Sequence, residues 1–305
     1  MRKAIALTFA YLGVTGGFVA CGARTGLLAP EPTDAALDAK HDAHDAASED
    51  AIEEDVADVV FPDVPIVSDC PDAGDTLVYV LGAQNELYSF FPPTLSFTSI
   101  GTISCPGPSS PNSMAVTRSG IAFTNFLDGE LFEISTANAA CKKTTYKPNQ
   151  LNWTTYGMGY AGIADGGETL FVAGNGQNGG SQGLGAIDTT AFTLSLVAQF
   201  QPSLPNCELS GTGAGQLFGF CPQGAGGLLV EIDPTTGKVI STHMLAAGSN
   251  ATSFAFAFWG GDFWIFTGNG NSTVTKYDPV SQIESDVTTA PIEIVGAGVS
   301  TCAPL

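Results

Sequence analysis

Phe254-Ala255-Phe256-Ala257-Phe258-Trp259, then Gly260-Gly261, then Asp262-Phe263-Trp264-Ile265-Phe266: two apolar runs joined by a pair of glycines decide how this chain folds. A two-residue Gly-Gly connection suits a tight hairpin, because its turn needs the positive φ that glycine adopts without a side-chain clash. After the hairpin comes a third run, Thr275-Lys276-Tyr277-Asp278, closed by the turn Pro279-Val280-Ser281 and followed by another strand. The same order recurs upstream. Equivalent hairpins pair Ser113 to Thr117 with Ile121 to Asn125, Met158 to Gly162 with Thr169 to Ala173, and Leu209 to Thr212 with Gln216 to Phe220.

The third run is the clearest repeat. It reads Leu87-Tyr88-Ser89-Phe90, Leu131-Phe132-Glu133-Ile134, Leu184-Gly185-Ala186-Ile187 and Val230-Glu231-Ile232-Asp233 before the copy at Thr275. The turns that follow are Pro92-Pro93-Thr94, Thr136-Ala137-Asn138, Thr189-Thr190-Ala191 and Pro234-Thr235-Thr236-Gly237. Units recur about every 45 residues, with one longer interval near 53 whose extra residues fall in the Gly/Asn loop Gly174 to Gly183; this is the period of a four-stranded propeller blade. The first unit lacks a leading strand, and Ile294-Val295-Gly296-Ala297-Gly298-Val299 resembles one with no blade of its own to start. The pattern therefore predicts an all-β, five-bladed β-propeller in which the C-terminal strand closes blade one and removes the exposed edge of an open array. The leading strands are rich in Gly, Ala and Ser, as a narrow five-bladed axis requires. Residues 70–305 show no long helical periodicity and are numerous enough to bury one core.

The cysteines test this layout. Cys207 and Cys221 lie symmetrically about Ala214, so a hairpin turning at Gly213-Ala214-Gly215 sets them opposite one another. Cys70 precedes the second strand of blade one and Cys302 follows its first, so a bridge between them would fasten the ring closure. Cys105 and Cys141 remain to pair by elimination, although the strand assignments put them near opposite ends of neighbouring outer strands.

Residues 1–20 read as a secretory signal: Met1-Arg2-Lys3 is a positive start, and Ala4 to Val14 is an apolar stretch too short to span a bilayer comfortably. Phe18-Val19-Ala20-Cys21-Gly22 resembles the bacterial lipobox, with Phe18 in place of the usual Leu. The resemblance implies a mature chain beginning at an acylated Cys21, and Gly22 after it implies the outer membrane; the alternative is an ordinary secretory signal cut near Ala20, which leaves Cys21 as a free or bridged thiol. Of seven cysteines, removing Cys21 leaves six, an even set suited to disulfides in an oxidising compartment. Residues 21–69 form the linker, dominated from about Pro30 by Ala, Asp, Glu and Pro, and are expected to be a disordered acidic tether. Much of the net charge of -20 lies there, so acidity says little about the ligand of the folded part. His41 and His44 fall in the same stretch, which offers no preformed metal geometry, and no metal site is assigned.

Glu231-Ile232-Asp233-Pro234-Thr235-Thr236-Gly237-Lys238 resembles the repeats of quinoprotein-like and YVTN-type propellers. The whole layout is similar to propeller lipoproteins of myxobacterial type. Quinoprotein dehydrogenases use more blades and a Trp-containing docking repeat that this chain lacks, so the resemblance carries over no cofactor. The motif is a turn signature, and fold likeness does not imply function.

Five-bladed glycoside hydrolases place paired carboxylates on inner strands, one as acid and one as base or nucleophile. Here Glu208 is the only acidic residue at such a position, with Asp165 and Asp262 in hairpin turns. His243 stands alone on an outer strand, and no Gly-x-Ser-x-Gly elbow occurs. A binding face fits better than an active site; the alternatives are a hydrolase or lyase using a propeller site that the sequence does not mark, and a purely structural envelope component. The loops entering the inner strands carry Pro111-Asn112, Pro148-Asn149, Pro205-Asn206 and Ser249-Asn250, and Asn175 to Asn178 and Asn269-Gly270-Asn271 emerge at the same end, with Trp153 and Tyr156 nearby. Asn112, Trp153, Tyr156, Glu208 and Asn269 are the candidate ligand contacts, for a glycan or a protein partner; the same residue types are also ordinary turn formers. The folded part has few basic residues, which excludes nucleic acid. The membrane, reached through the N-terminal lipid, is the other expected partner.

Overall fold

Five antiparallel four-stranded sheets make up the fold in a computed structural model that describes residue 70 and residues 73–106, 109–176 and 178–305. Cys21, the expected signal segment 1–20, the expected linker 21–69 with His41 and His44, and Gln177 lie outside the described residues. The chain first lays down the outer three strands of blade one: β1 (Val78–Gly82), β2 (Glu86–Phe91) and β3 (Ser96–Thr102). Blade two follows from the axis outward as β4 (Pro111–Val116), β5 (Ile121–Phe126), β6 (Leu131–Ser135) and β7 (Cys141–Lys143). Blade three is β8 (Tyr156–Gly162), β9 (Glu168–Asn175), β10 (Ser181–Asp188) and β11 (Thr193–Ala198). Blade four is β12 (Glu208–Gly211), β13 (Leu217–Gln223), β14 (Gly226–Ile232) and β15 (Val239–Leu245). Blade five is β16 (Ser253–Trp259), β17 (Asp262–Gly268), β18 (Thr273–Asp278) and β19 (Ile283–Thr289). The last strand, β20 (Ile294–Val299), returns to β1 as the innermost strand of blade one, pairing Val80 with Ala297. The five-bladed ring closed by its C-terminal strand is thus the observed fold.

Local chemistry explains the hairpins and turns. Gly260 and Gly261 both take positive φ, 65° and 80°, and set Trp259 opposite Asp262. The turn signature after the third strand works through its aspartate. Asp233 Oδ1 accepts from the Thr235 amide (2.8 Å), the Thr236 amide (3.1 Å) and the Thr235 hydroxyl (2.7 Å), which hold its carboxyl down at about 2. Asp188 and Asp278 close their turns in the same way. The motif is a turn-closing device.

Apolar clusters fill the spaces between blades. Phe90 of blade one meets Trp264 and Phe266 of blade five edge-on at 5.5 and 5.7 Å. At the axis the inner strands approach at backbone distance. Serines then bond across blades: Ser113 Oγ accepts from the Met158 amide (3.1 Å), and Ser210 Oγ from the Phe258 amide (3.0 Å). Around Met158, Leu209 and Gly298 the axis has no room for a water molecule. The ring has a packed axis, not a pore.

All three expected disulfides form: Cys70–Cys302, Cys105–Cys141 and Cys207–Cys221. Such bridges belong to an oxidising, exported location. Cys207 and Cys221 lie one step beyond the Glu208–Phe220 pair of the β12–β13 ladder. Cys105 reaches Cys141 because the end of β3 crosses to the β6–β7 turn: a Cβ on Gly101 would sit 3.3 Å from that of Ala139. The strand-end separation expected from sequence is closed by that crossing.

Candidate functional site

The loops entering the inner strands and those joining second to third strands meet at one end of the ring. They surround a depression of about 410 Å³ to which every blade contributes: Gln84 from blade one, Asn112 from two, Asn175 from three, Asn206 and Glu208 from four, Ser253 and Phe254 from five. Since the axis beneath is packed, the mouth is blind.

Glu208 opens β12 and is only 5 % exposed. The Ser113 hydroxyl donates to its Oε2 at 2.5 Å, and the same Ser113 oxygen accepts from Met158, so three blades are tied through one serine. Burial pushes the Glu208 carboxyl well above the usual range, while the Ser113 hydroxyl and the nearby Met158 amide pull it down. Among the described residues Glu208 is the only acid or base lining the mouth. The site is therefore a set of amides, hydroxyls and apolar side chains around one carboxyl biased toward its neutral form.

Of the residues singled out from sequence, Asn112 and Glu208 come together here. Asn112 Nδ2 donates to the Tyr156 carbonyl (3.0 Å) and Asn125 Oδ1 (3.3 Å), leaving its own Oδ1 to the mouth. Asn269 stands behind the rim, where its Oδ1 accepts from the Thr252 amide (2.8 Å) and hydroxyl (2.6 Å), and Thr252 lines the mouth. Trp153 and Tyr156 are not at the mouth. They are 3 % and 0 % exposed in the cluster between blades two and three, Tyr156 lying edge-on to Tyr146 at 6.4 Å. Nearness to a loop in sequence did not fix which way their rings point, and the apolar space between blades took them. Phe254 is the mouth's aromatic, and it read in sequence only as a strand residue. Ser113 was missed as well, because inner strands need small residues anyway.

The buried carboxyl implies a pH dependence. In the unfolded chain Glu208 ionises near 4.5, whereas the fold keeps its proton to higher pH. Its contribution is intact below about that pH and falls as pH rises toward the folded value, with a limiting slope for one proton of about 1.4 kcal/mol per pH unit. Glu208→Gln keeps the shape and hydrogen-bonding capacity without the charge. Thermal scans from pH 4.5 to 8 should show the variant losing less Tm than the wild type; equal losses would mean that Glu208 does not titrate abnormally.

No protein-family model matches this chain, and no curated protein sequence does. Among solved structures it is similar to Kuenenia stuttgartiensis hydrazine synthase, at 12 % identity over 71 % of this chain and 67 % of that one, with a TM-score of 0.39. It is also similar to a chain of the mitotic checkpoint complex, at 11 % identity over 72 % of this chain and 62 % of that one, with a TM-score of 0.36. The chain thus spans less than two thirds of the second protein's length. Likenesses this distant bear on neither ligand nor chemistry.

Proposed function

We propose that this chain is a lipid-anchored envelope protein whose propeller holds an uncharged glycan at the channel mouth without transforming it. The observation that carries the reading is the blind depression of about 410 Å³, in which neutral amides and hydroxyls and one buried carboxyl are interspersed with apolar side chains, Ala83, Pro111, Leu127, Val295 and the aromatic Phe254. Hydroxyl-rich ligands exchange hydrogen bonds with water for equivalent ones to such groups, and an apolar sugar face suits a ring. Glycoside hydrolysis needs an acid and a second carboxylate, and Glu208 has no carboxylate partner among the residues that line the mouth. The anchor reading rests on Cys21 and is supported by polarity. Cys70, the first described residue, is bridged to Cys302 just beyond the end of β20, at the ring end opposite the mouth.

The test uses the full-length protein purified from membranes in detergent. A glycan array should return neutral oligosaccharides, and calorimetry with the best of them should show Asn112→Ala weakening binding about tenfold, the effect of one lost hydrogen bond to a buried site. Cys21→Ser should leave the membrane fraction with the same glycan affinity. A protein captured through the mouth with no glycan bound, or binding indifferent to Asn112→Ala, overturns the glycan reading; a membrane-bound Cys21→Ser overturns the anchor.

A further inference from the structure

A second recess lies between blades four and five, toward the end opposite the mouth, with a volume of about 300 Å³. Its walls are aromatic. Phe218 on β13 and Phe258 on β16 stack at 5.5 Å, and Phe263 on β17 stands edge-on to both, at 4.9 and 5.1 Å. Tyr277 on β18 lies 6.3 Å from Phe263, and His243 on β15 lies 6.1 Å from Tyr277. Glu231 on β14 lines the same recess. It is half-buried, and among the described residues it has no ion pair and no side-chain hydrogen bond. Four of the described lysines and arginine pair elsewhere, Arg118 with Glu168, Lys142 with Glu133, Lys143 with Glu130 and Lys276 with Asp262, and the other two, Lys147 and Lys238, make no ion pair among the described residues and do not line the recess.

A half-buried carboxylate without a counter-charge beside a wall of aromatic rings is an incomplete electrostatic arrangement. A hydrated metal ion would find one carboxylate and no further oxygen-rich shell. An anion would be repelled. A compact, weakly hydrated ammonium ion meets both features, since the carboxylate neutralises it and the aromatic wall, 3–8 % exposed, takes its apolar substituents at little cost in hydration. The same protein already sets a cation over a ring in the neighbouring space, with Lys276 Nζ 5.8 Å from the Trp264 ring. We propose that this recess binds a small free quaternary or tertiary ammonium ion, Glu231 supplying the charge and Phe218, Phe258, Phe263 and Tyr277 the apolar wall.

The proposal is independent of the mouth and is tested by calorimetry on the full-length protein with choline and with its neutral carbon isostere, dimethylbutanol. Choline should bind about tenfold more tightly than the isostere, a preference that shape alone cannot give. Glu231→Gln should abolish the preference while Tm stays close to wild type, and Asn112→Ala should leave choline binding unchanged. Equal affinity for the two probes, a preference that survives in Glu231→Gln, or no choline binding at about 10 mM, beyond the weak end of specific affinity, each overturns it.

Discussion

Full-length protein carrying Cys70→Ser and Cys302→Ser is expected to melt about 10 °C below wild type, the larger of two stability losses that the ring geometry predicts. The bridge spans 232 residues and joins the segment before β1 to the residues after β20, the two strands whose pairing closes the ring. In the chain-entropy account a loop of that length restrains the unfolded chain by about 5 kcal/mol, and residual structure in the unfolded state brings the expected loss to about 4. For a domain of this size each kcal/mol moves Tm by about 2–4 °C. The Cys207–Cys221 bridge, 14 residues apart and within one hairpin, restrains a far shorter loop and should matter less when both of its cysteines become serine. Calorimetric scans of the two double variants decide the order. A Cys70/Cys302 variant melting within about 3 °C of wild type would mean that the β1–β20 ladder alone holds the ring.

That closure was legible in the sequence because it follows from counting. Ile294 to Val299 matched a leading strand with nothing after it, and blade one lacked a leading strand. Glu208 was legible for a similar reason, as the only acid at an inner-strand position. What was not legible depends on the ring being closed in three dimensions. Ser113 stands 95 residues from Glu208 and on a different blade, so no local pattern marks their hydrogen bond. Trp153 and Tyr156 follow a polar loop in sequence, and only the packing between blades two and three shows that their rings turn inward. The aromatic recess is the extreme case. Its four rings come from β13, β16, β17 and β18, and each reads in sequence as one more apolar residue of a strand. Periodicity reveals which strands exist and in what order, while side-chain direction at the seams between blades is settled by tertiary contact.

The second large effect is expected at Gly157, where a single methyl should damage both the fold and the mouth. Gly157 is on β8, and a Cβ placed there would collide with the Cys207 carbonyl oxygen and lie 2.6 Å from the Glu208 Cα and 2.8 Å from the Cys207 carbonyl carbon. All three are backbone atoms, so no rotamer change can relieve the clash. The strand they belong to is also restrained, by the Cys207–Cys221 bridge on one side and by the Ser113–Glu208 hydrogen bond on the other. Gly157→Ala must therefore push blade four away from blade three or break one of those links. Overpacking of this kind costs about 3 kcal/mol, which for this domain is about 6–12 °C in Tm. Glu208 should then move off Ser113, so glycan binding should fall even at temperatures where the variant stays folded. Gly180→Ala is the control, since a Cβ there meets nothing within 4 Å, and it should leave Tm and binding near wild type. If Gly157→Ala is tolerated as well as Gly180→Ala, the inner strands of blades three and four do not meet at backbone contact, and the floor of the mouth is not held as the Ser113–Glu208 bond implies.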